Sequence, residues 1–332
     1  VRASASVNFT DAPASDIGID KYLNERSYIA TERGTFWTKF RARNPFYIGR
    51  PLRVISAYIV DGLVDYSEAV TRHYVIDKID ASDGKCRVTA KDTLKLADNK
   101  RAKAPLASRG QLAAEMTDTQ TSATLSPTGV GAEYPASGFI RVRSEVMGFT
   151  RSGDTLTLTR GQYNTAATEH SEGDTAQLCL EYTGAILNDI LEDLLVNYSG
   201  VDATFIPSAE WADEVSSFLP GGLSTLITEP TGVQTLLKEL GEQFPHYLYW
   251  DERTQLIKLS AVQPPPINAP TYNMESHIIA DSVRVSDKPD MRFSTVTIYF
   301  GQFDPTRKLD ETNNYQQIYS RDNSDSVGQY GS

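Results

Sequence analysis

Cysteine is nearly absent from this 332-residue chain: only Cys86 and Cys179 occur. Two cysteines make neither a zinc cage nor a disulfide scaffold. Each lies in an apolar, strand-like context, KCRVTA and QLCLEY, which predicts buried free thiols. Histidine is scarce too, and His73, His170, His246 and His277 sit in unrelated segments. No helical metal motif with two histidines four residues apart can be written from them. No run of about 18 apolar residues occurs, so no membrane insertion by a helix of this chain is expected. The first residues carry no signal-peptide pattern. The nucleophile elbow, the phosphate-binding loop and the dinucleotide glycine fingerprint are all missing. Neighbouring carboxylates such as Glu192-Asp193 and Asp213-Glu214 diverge by about 100° on a helix, which makes each a poor acid–base pair. The expectation is a non-enzymatic protein without cofactor or metal.

Enough remains for a folded protein. Hydrophobic residues make up 40% and charged ones 23%, which argues for a packed core and against global disorder. The length allows two or three modules. The net charge of −11 is uneven. Residues 180–252 hold 13 Asp or Glu and one Lys, while the rest of the chain is nearly neutral. A protein that wraps nucleic acid for affinity should carry the opposite sign. The simplest reading of the acidic block is three solvated helix faces.

Periodicity supplies most elements. LRVISAYIV (52–60), HYVIDKID (73–80) and KCRVTA (85–90) read as strands, the last two joined at Ser82-Asp83-Gly84. Asp92 can cap a short helix through Leu94 and Leu96. GFIRVRSEVMGFTR (138–151) and DTLTLTR (154–160) flank Ser152-Gly153 as a hairpin, and TAQLCLEY (175–182) closes that module. Thr183 can start a helix carrying Ile186, Ile190, Leu194 and Tyr198, ended by Gly200. Further helices follow Ser208 and Thr231, stopping at Pro220 and Pro245. HYLYWDE (246–252) and QLIKLSAV (255–262) form a hairpin, and Pro264-Pro265-Pro266 stiffens what comes next. DSVRVS (281–286) and FSTVTIYFG (293–301) read as strands. Beyond Phe303 the aliphatics thin out and an irregular tail is expected.

Two segments stand out as candidate sites. The first, FWTKFRARNPFYIGRPLR, interleaves Phe36, Trp37, Phe40, Phe46 and Tyr47 with Lys39, Arg41, Arg43, Arg50 and Arg53, without an acid. Turns are expected at Asn44-Pro45 and Gly49-Arg50-Pro51. Core aromatics with solvated arginines, a protein interface, and a single-stranded nucleic-acid surface all remain open. The second packs Glu169, His170, Glu172 and Asp174 into six residues. Their spacing does not converge on a metal in an extended chain. Ser171-Glu172-Gly173-Asp174 reads as a turn, with a partial calcium shell as the sharper alternative.

The context of that second cluster, EVMGFTRSGDTLTLTRGQYNTAATEHSEGD, resembles a small β-module of long-tailed bacteriophage tail proteins. Thr150, Arg151, Gly153, Asp154, Arg160, Gly161, Gln162, His170, Gly173 and Asp174 carry the likeness. FWTKFRARNPFYIGRPLRV, HYVIDKIDASDGKCRVTAKDTLKLAD and TGVQTLLKELGEQFPHYLYWDE resemble baseplate-hub or tail-tip proteins of such phages. The resemblance spans most of residues 36–262. It implies a mixed α+β fold, predominantly antiparallel β, with tube-like barrel or sandwich hub domains, an inserted small β-module and a few amphipathic helices. The hub domain would run through 1–106 and resume over 183–303, with 107–182 inserted and 304–332 as the polar tail. The implied role is a structural ring subunit, a homotrimer, joining the tail tube to distal tail, tape-measure or fibre proteins in the virion. DNA would pass without specific binding, and Glu192, Asp193, Asp213 and Glu214 would face the channel. A receptor- or carbohydrate-binding tail module and a tail-tip cell-wall hydrolase are the alternatives.

Overall fold

Alternation of apolar and polar residues along short segments produces a mixed α+β fold, mostly antiparallel β, with curled half-barrel sheets and few helices. The structure, a computed structural model, describes residues 3–14, 22–25, 27, 34–82, 84–263, 269–279, 281–286 and 293–330. The chain divides into two compact units, 1–106 with 182–224 and 230–262, and 107–181 with 225–229 and 263–332.

The first unit opens with β1 (Ser4–Thr10), α1 (Phe36–Arg43), β2 (Pro51–Val60), β3 (Leu63–Ser82), β4 (Lys85–Lys91) and the short β5 (Lys103–Ala104). The first four strands form one sheet in the order β1-β4-β3-β2. In β4 the residues Cys86, Val88 and Ala90 point inward between outward Lys85 and Arg87. Trp37 and Phe40 of α1, with Tyr47, pack against Ile79, Cys86 and Val88 on that inner face. Helix α1 was not legible in the sequence, which shows only the turns at Asn44-Pro45 and Gly49-Arg50-Pro51. The cause is its cap: Thr35 makes no capping bond of its own side chain to the helix. Asp11 serves instead, accepting from the Trp37 N–H at 2.9 Å and from the Thr35 hydroxyl at 2.5 Å. A cap supplied from a distant strand end leaves no local signature.

The second unit begins with β6 (Gln111–Leu112), β7 (Ser122–Ser126), β8 (Ser137–Val142), β9 (Glu145–Ser152), β10 (Thr155–Gln162) and β11 (Gln177–Leu178). They form a six-stranded sheet in the order β11-β8-β9-β10-β7-β6. Its core gathers Leu112, Met116, Leu125, Ile140, Met147, Phe149, Leu156 and Leu158. The single strand expected over 138–151 is two strands. Arg143 takes a positive φ of 53° and reverses the chain between β8 and β9. The closing strand expected over 175–182 is likewise divided, into β11 and β12 (Leu180–Ala185).

Helix α2 (Leu187–Asp193) starts later than expected because Thr183 lies in β12, and it continues as a π-turn over Leu194–Tyr198. Next come α3 (Ser208–Phe218), β13 (Leu223–Ile227), β14 (Thr231–Gly232), α4 (Val233–Gln243), β15 (His246–Asp251) and β16 (Leu256–Ala261). Trp211 of α3 is buried and its indole N–H donates to the Ile257 carbonyl of β16 at 2.9 Å. Trp250 of β15 donates to the His73 carbonyl of β3 at 2.8 Å. Strand β17 (Thr295–Gln302) pairs with β18 (Tyr315–Asp322), and α5 (Ser324–Tyr330) follows. The tail expected to be irregular is therefore structured. Tyrosine and isoleucine supply the strand-forming side chains that the missing aliphatics seemed to deny. Residues 281–286, expected to form a strand, form none. Pro264-Pro265-Pro266 and Asp83 lie outside the described residues. Both cysteines are buried free thiols, as expected, and burial pushes the Cys179 thiol up to about 12.

Trp211 gives a direct test of the first unit. Trp211→Phe keeps most of the apolar volume but orphans the Ile257 carbonyl, and should cost about 1–2 kcal/mol. Trp211→Ala should cost about 3–5 kcal/mol. Urea denaturation followed by circular dichroism measures both, and the Ala variant must lie lower.

Candidate functional site

The acidic cluster of residues 169–174 does not converge. Glu169 and Glu172 are exposed, whereas His170 is buried. Asp174 accepts the Ser171 N–H at 2.8 Å and pairs with Arg143 at 2.9 Å. Gly173 has a φ of 84°, as the turn reading requires. Among the described residues, no group of three or more His, Cys, Asp or Glu side chains is placed to hold a metal ion.

His170 turns instead toward Glu145, a fully buried carboxylate at the start of β9. Arg160 of β10 meets the same carboxylate with a two-pronged contact, Nε to Oε1 and Nη2 to Oε2, both 2.8 Å. Its other donors reach the carbonyls of Thr117, Gln120 and Thr168, so all five guanidinium N–H groups are used. Glu145 also accepts the N–H of Gly161 at 3.0 Å and of Thr168 at 3.1 Å, and His170 Nε2 lies 2.8 Å from it. In that contact Nε2 carries a proton and donates to the carboxylate. Burial alone would raise the Glu145 pKa, but the bonds from Arg160, His170, Thr168 and Gly161 outweigh it and hold it at about 2. A carboxylate accepting five hydrogen bonds has no lone pair left for base or nucleophile chemistry. Its effect is to tie β9 to β10 and, partly through Arg160, to the two loops that carry Thr117 with Gln120 and Thr168 with His170.

Other residues of the 145–174 stretch have structural tasks as well. Asp154 accepts the N–H groups of Gly129 at 2.7 Å and Gly131 at 2.8 Å. A Cβ at Gly131 would sit 2.1 Å from the Gly153 carbonyl, so only glycine fits there. The motif is thus a set of tight turns and one buried charge network.

The aromatic-basic segment splits in two. Trp37, Phe40 and Tyr47 face the sheet core, and Phe36 stacks on Phe40 and meets Trp37 edge-on. Phe46 and Ile48, in the loop between α1 and β2, are 84% and 69% exposed. Arg41 and Arg50 are exposed on either side of that loop, and Arg43 is half-buried. Of the four acids named for a channel, three are engaged within the first unit. Glu192 accepts from the Ser208 hydroxyl, Asp193 from Tyr182 and Asn197, and Glu214 from the Ala261 N–H. Asp213 is exposed.

An exposed apolar surface with no counterpart among the sequence candidates lies on the β2–β3 hairpin. Strand β4 pairs with β3 only over Val75–Ser82, so the outer part of the β2–β3 hairpin is a two-stranded arm. Its tip pairs Tyr58 with Asp65, Ile59 with Val64 and Val60 with Leu63. Residues directly opposite share a face, so Tyr58, Val60 and Leu63 lie on one side and Ile59 and Val64 on the other. Both sides are open: Tyr58, Ile59 and Leu63 are 72%, 73% and 76% exposed. Asp61 and Gly62 have φ of 52° and 78°, the two-residue turn that suits a twisted hairpin. The Asp-Gly pair inside IVDGLV was the available signal. In the second unit, Val296, Ile298, Phe300 and Tyr319 share one exposed face of β17–β18. No family model matches the chain, and no curated protein or solved structure matches it.

The buried network predicts acid behaviour. Because the folded pKa of Glu145 is depressed, its stabilisation is complete above the ordinary carboxylate pKa of 4.5 and is lost as pH falls toward about 2. Glu145→Gln should flatten that part of the pH–stability curve. It should also cost about 3–5 kcal/mol at neutral pH, since Arg160 keeps a buried charge without its counter-ion. Chemical denaturation of both proteins between pH 2 and pH 7 measures the two effects.

Proposed function

We propose that the chain is a structural subunit of a bacteriophage tail tip or baseplate, a hub-type ring protein of three copies. In this reading it joins the tail tube to distal tail proteins around the DNA channel and resides in the virion. The observation that carries it is the β2–β3 arm, whose two faces are apolar and open in the single chain. An isolated two-stranded hairpin is marginal in water, and contiguous exposed apolar surface marks a place of association. The β17–β18 face supports the same reading from the second unit. The phage-like motif adds the context of a tail. Its residues are engaged in turns and in the Glu145 network, which suits a module that serves as scaffold.

The test is the mass of the protein in solution and its place on the particle. Mass photometry should find a closed assembly of three chains, and electron microscopy of particles carrying a labelled copy should find the label at the tail tip. A protein that stays monomeric at every concentration overturns the ring. Release of fragments from peptidoglycan or cell-surface polysaccharide, abolished by replacing one Asp or Glu, overturns the structural role.

A further inference from the structure

We infer that the β2–β3 arm of one subunit docks on the loop between α1 and β2 of the next copy, so that each subunit gives one arm and receives another. This rests on the ring reading above and names the contact that closes it. The two surfaces are complementary in charge. The outer arm, residues 56–70, carries Asp61, Asp65 and Glu68 and no Lys or Arg. The segment 36–53 carries Lys39, Arg41, Arg43, Arg50 and Arg53 and no Asp or Glu. Both are also apolar where they are open: Tyr58, Ile59, Val60, Leu63 and Val64 on the arm, Phe46 and Ile48 on the loop. An apolar centre with charges of opposite sign around it gives affinity and register together.

The arm cannot reach the loop of its own chain. The loop is fixed at the base of the hairpin, where the Gly49 N–H donates to the Ile76 carbonyl and the Ile76 N–H to the Arg50 carbonyl, both 2.8 Å. From Pro51 to the tip at Val60 the strand rises ~30 Å. The arm has one irregularity at which it could bend, where the register shifts between Ser56 and Tyr58 and Ala57 faces Tyr66–Ala69. The stretch beyond it, 57–60, covers only about 14 Å, less than the roughly 20 Å from that point back to Pro51. Contact between tip and loop is therefore a contact between two chains. It joins two different patches, so it is heterologous, and such contacts close into rings when the rotation allows. A symmetric dimer through the arm alone would leave the basic loop uncovered and set like charges of two arm tips side by side.

Directed cross-linking tests this. Leu63→Cys and Ile48→Cys are both at exposed positions, and the native Cys86 and Cys179 are buried. Under mild oxidation the double variant should give covalent dimers and higher species up to the closed ring, and each single variant should give none. The mass of the same sample is measured before oxidation. An assembly of the expected size without cross-linked chains overturns the arm-to-loop contact while leaving the ring reading intact. Cross-linking by Leu63→Cys alone also overturns it, because the arms then meet each other. A monomer at every concentration removes both. As a second measurement, Arg41→Glu with Arg50→Glu should weaken self-association on the order of tenfold or more, as loss of steering and complementary charge does. Added Glu68→Lys should recover part of that loss, and unchanged association in either variant counts against the contact.

Discussion

A two-stranded antiparallel ribbon has two faces and cannot cover either by itself. That constraint organises most of this protein. The β1–β4 sheet buries its inner face under α1, through Trp37 and Phe40. The β15–β16 hairpin is joined to α3 by the Trp211 indole and by the Glu214 carboxylate, which accepts from Ala261. The six-stranded sheet of the second unit gathers its side chains around Ile140, Met147 and Leu156. Among the described residues, the outer arm and one face of β17–β18 leave the same need unmet in a single chain. The proposed assembly would cover that deficit, so the functional proposal rests on uncovered ribbons and not on a pocket.

The charge network shows how chemically suggestive residues can be structural. Glu145, Arg160 and His170 would catch the eye in any search for acid–base groups. Yet each hydrogen-bonding site of the carboxylate and every N–H of the guanidinium is occupied, and the group is shut away from solvent. A buried ion pair of this kind stabilises mainly by being complete, since removing one member leaves an uncompensated charge. Asp154 of the same stretch accepts the N–H groups of Gly129 and Gly131, and Gly131 answers to the close approach of the Gly153 carbonyl.

Legibility in the sequence followed the range of the interactions. Helix α3, helix α4 and the β15–β16 hairpin were legible because their apolar spacing and stop signals are local. The turn at Gly173 was legible for the same reason. Helix α1 was not, because its cap is Asp11, 24 residues before Thr35. The break between β8 and β9 was hidden, since Arg143 is an uncommon residue for a left-handed turn. The role of His170 was equally hidden, because Glu145 lies 25 residues away in the chain.

The sequence by itself determined the scarcity of metal-binding residues, the uneven charge, the strand and helix periods, and the aromatic-basic character of 36–53. These are properties of neighbours along the chain, and they need no fold to exist. Only the tertiary structure decided which of those aromatics are core and which are surface. Trp37 and Phe40 turn inward because α1 lies on a sheet, and Phe46 and Ile48 turn outward because none of the described residues covers their loop. The same holds for the arm. The Asp-Gly turn signal of IVDGLV is local, but the end of β4 pairing at Val75, which leaves the tip without a third strand, is not. Burial is a property of how distant segments meet, so composition can supply the apolar residues but cannot say which of them remain uncovered.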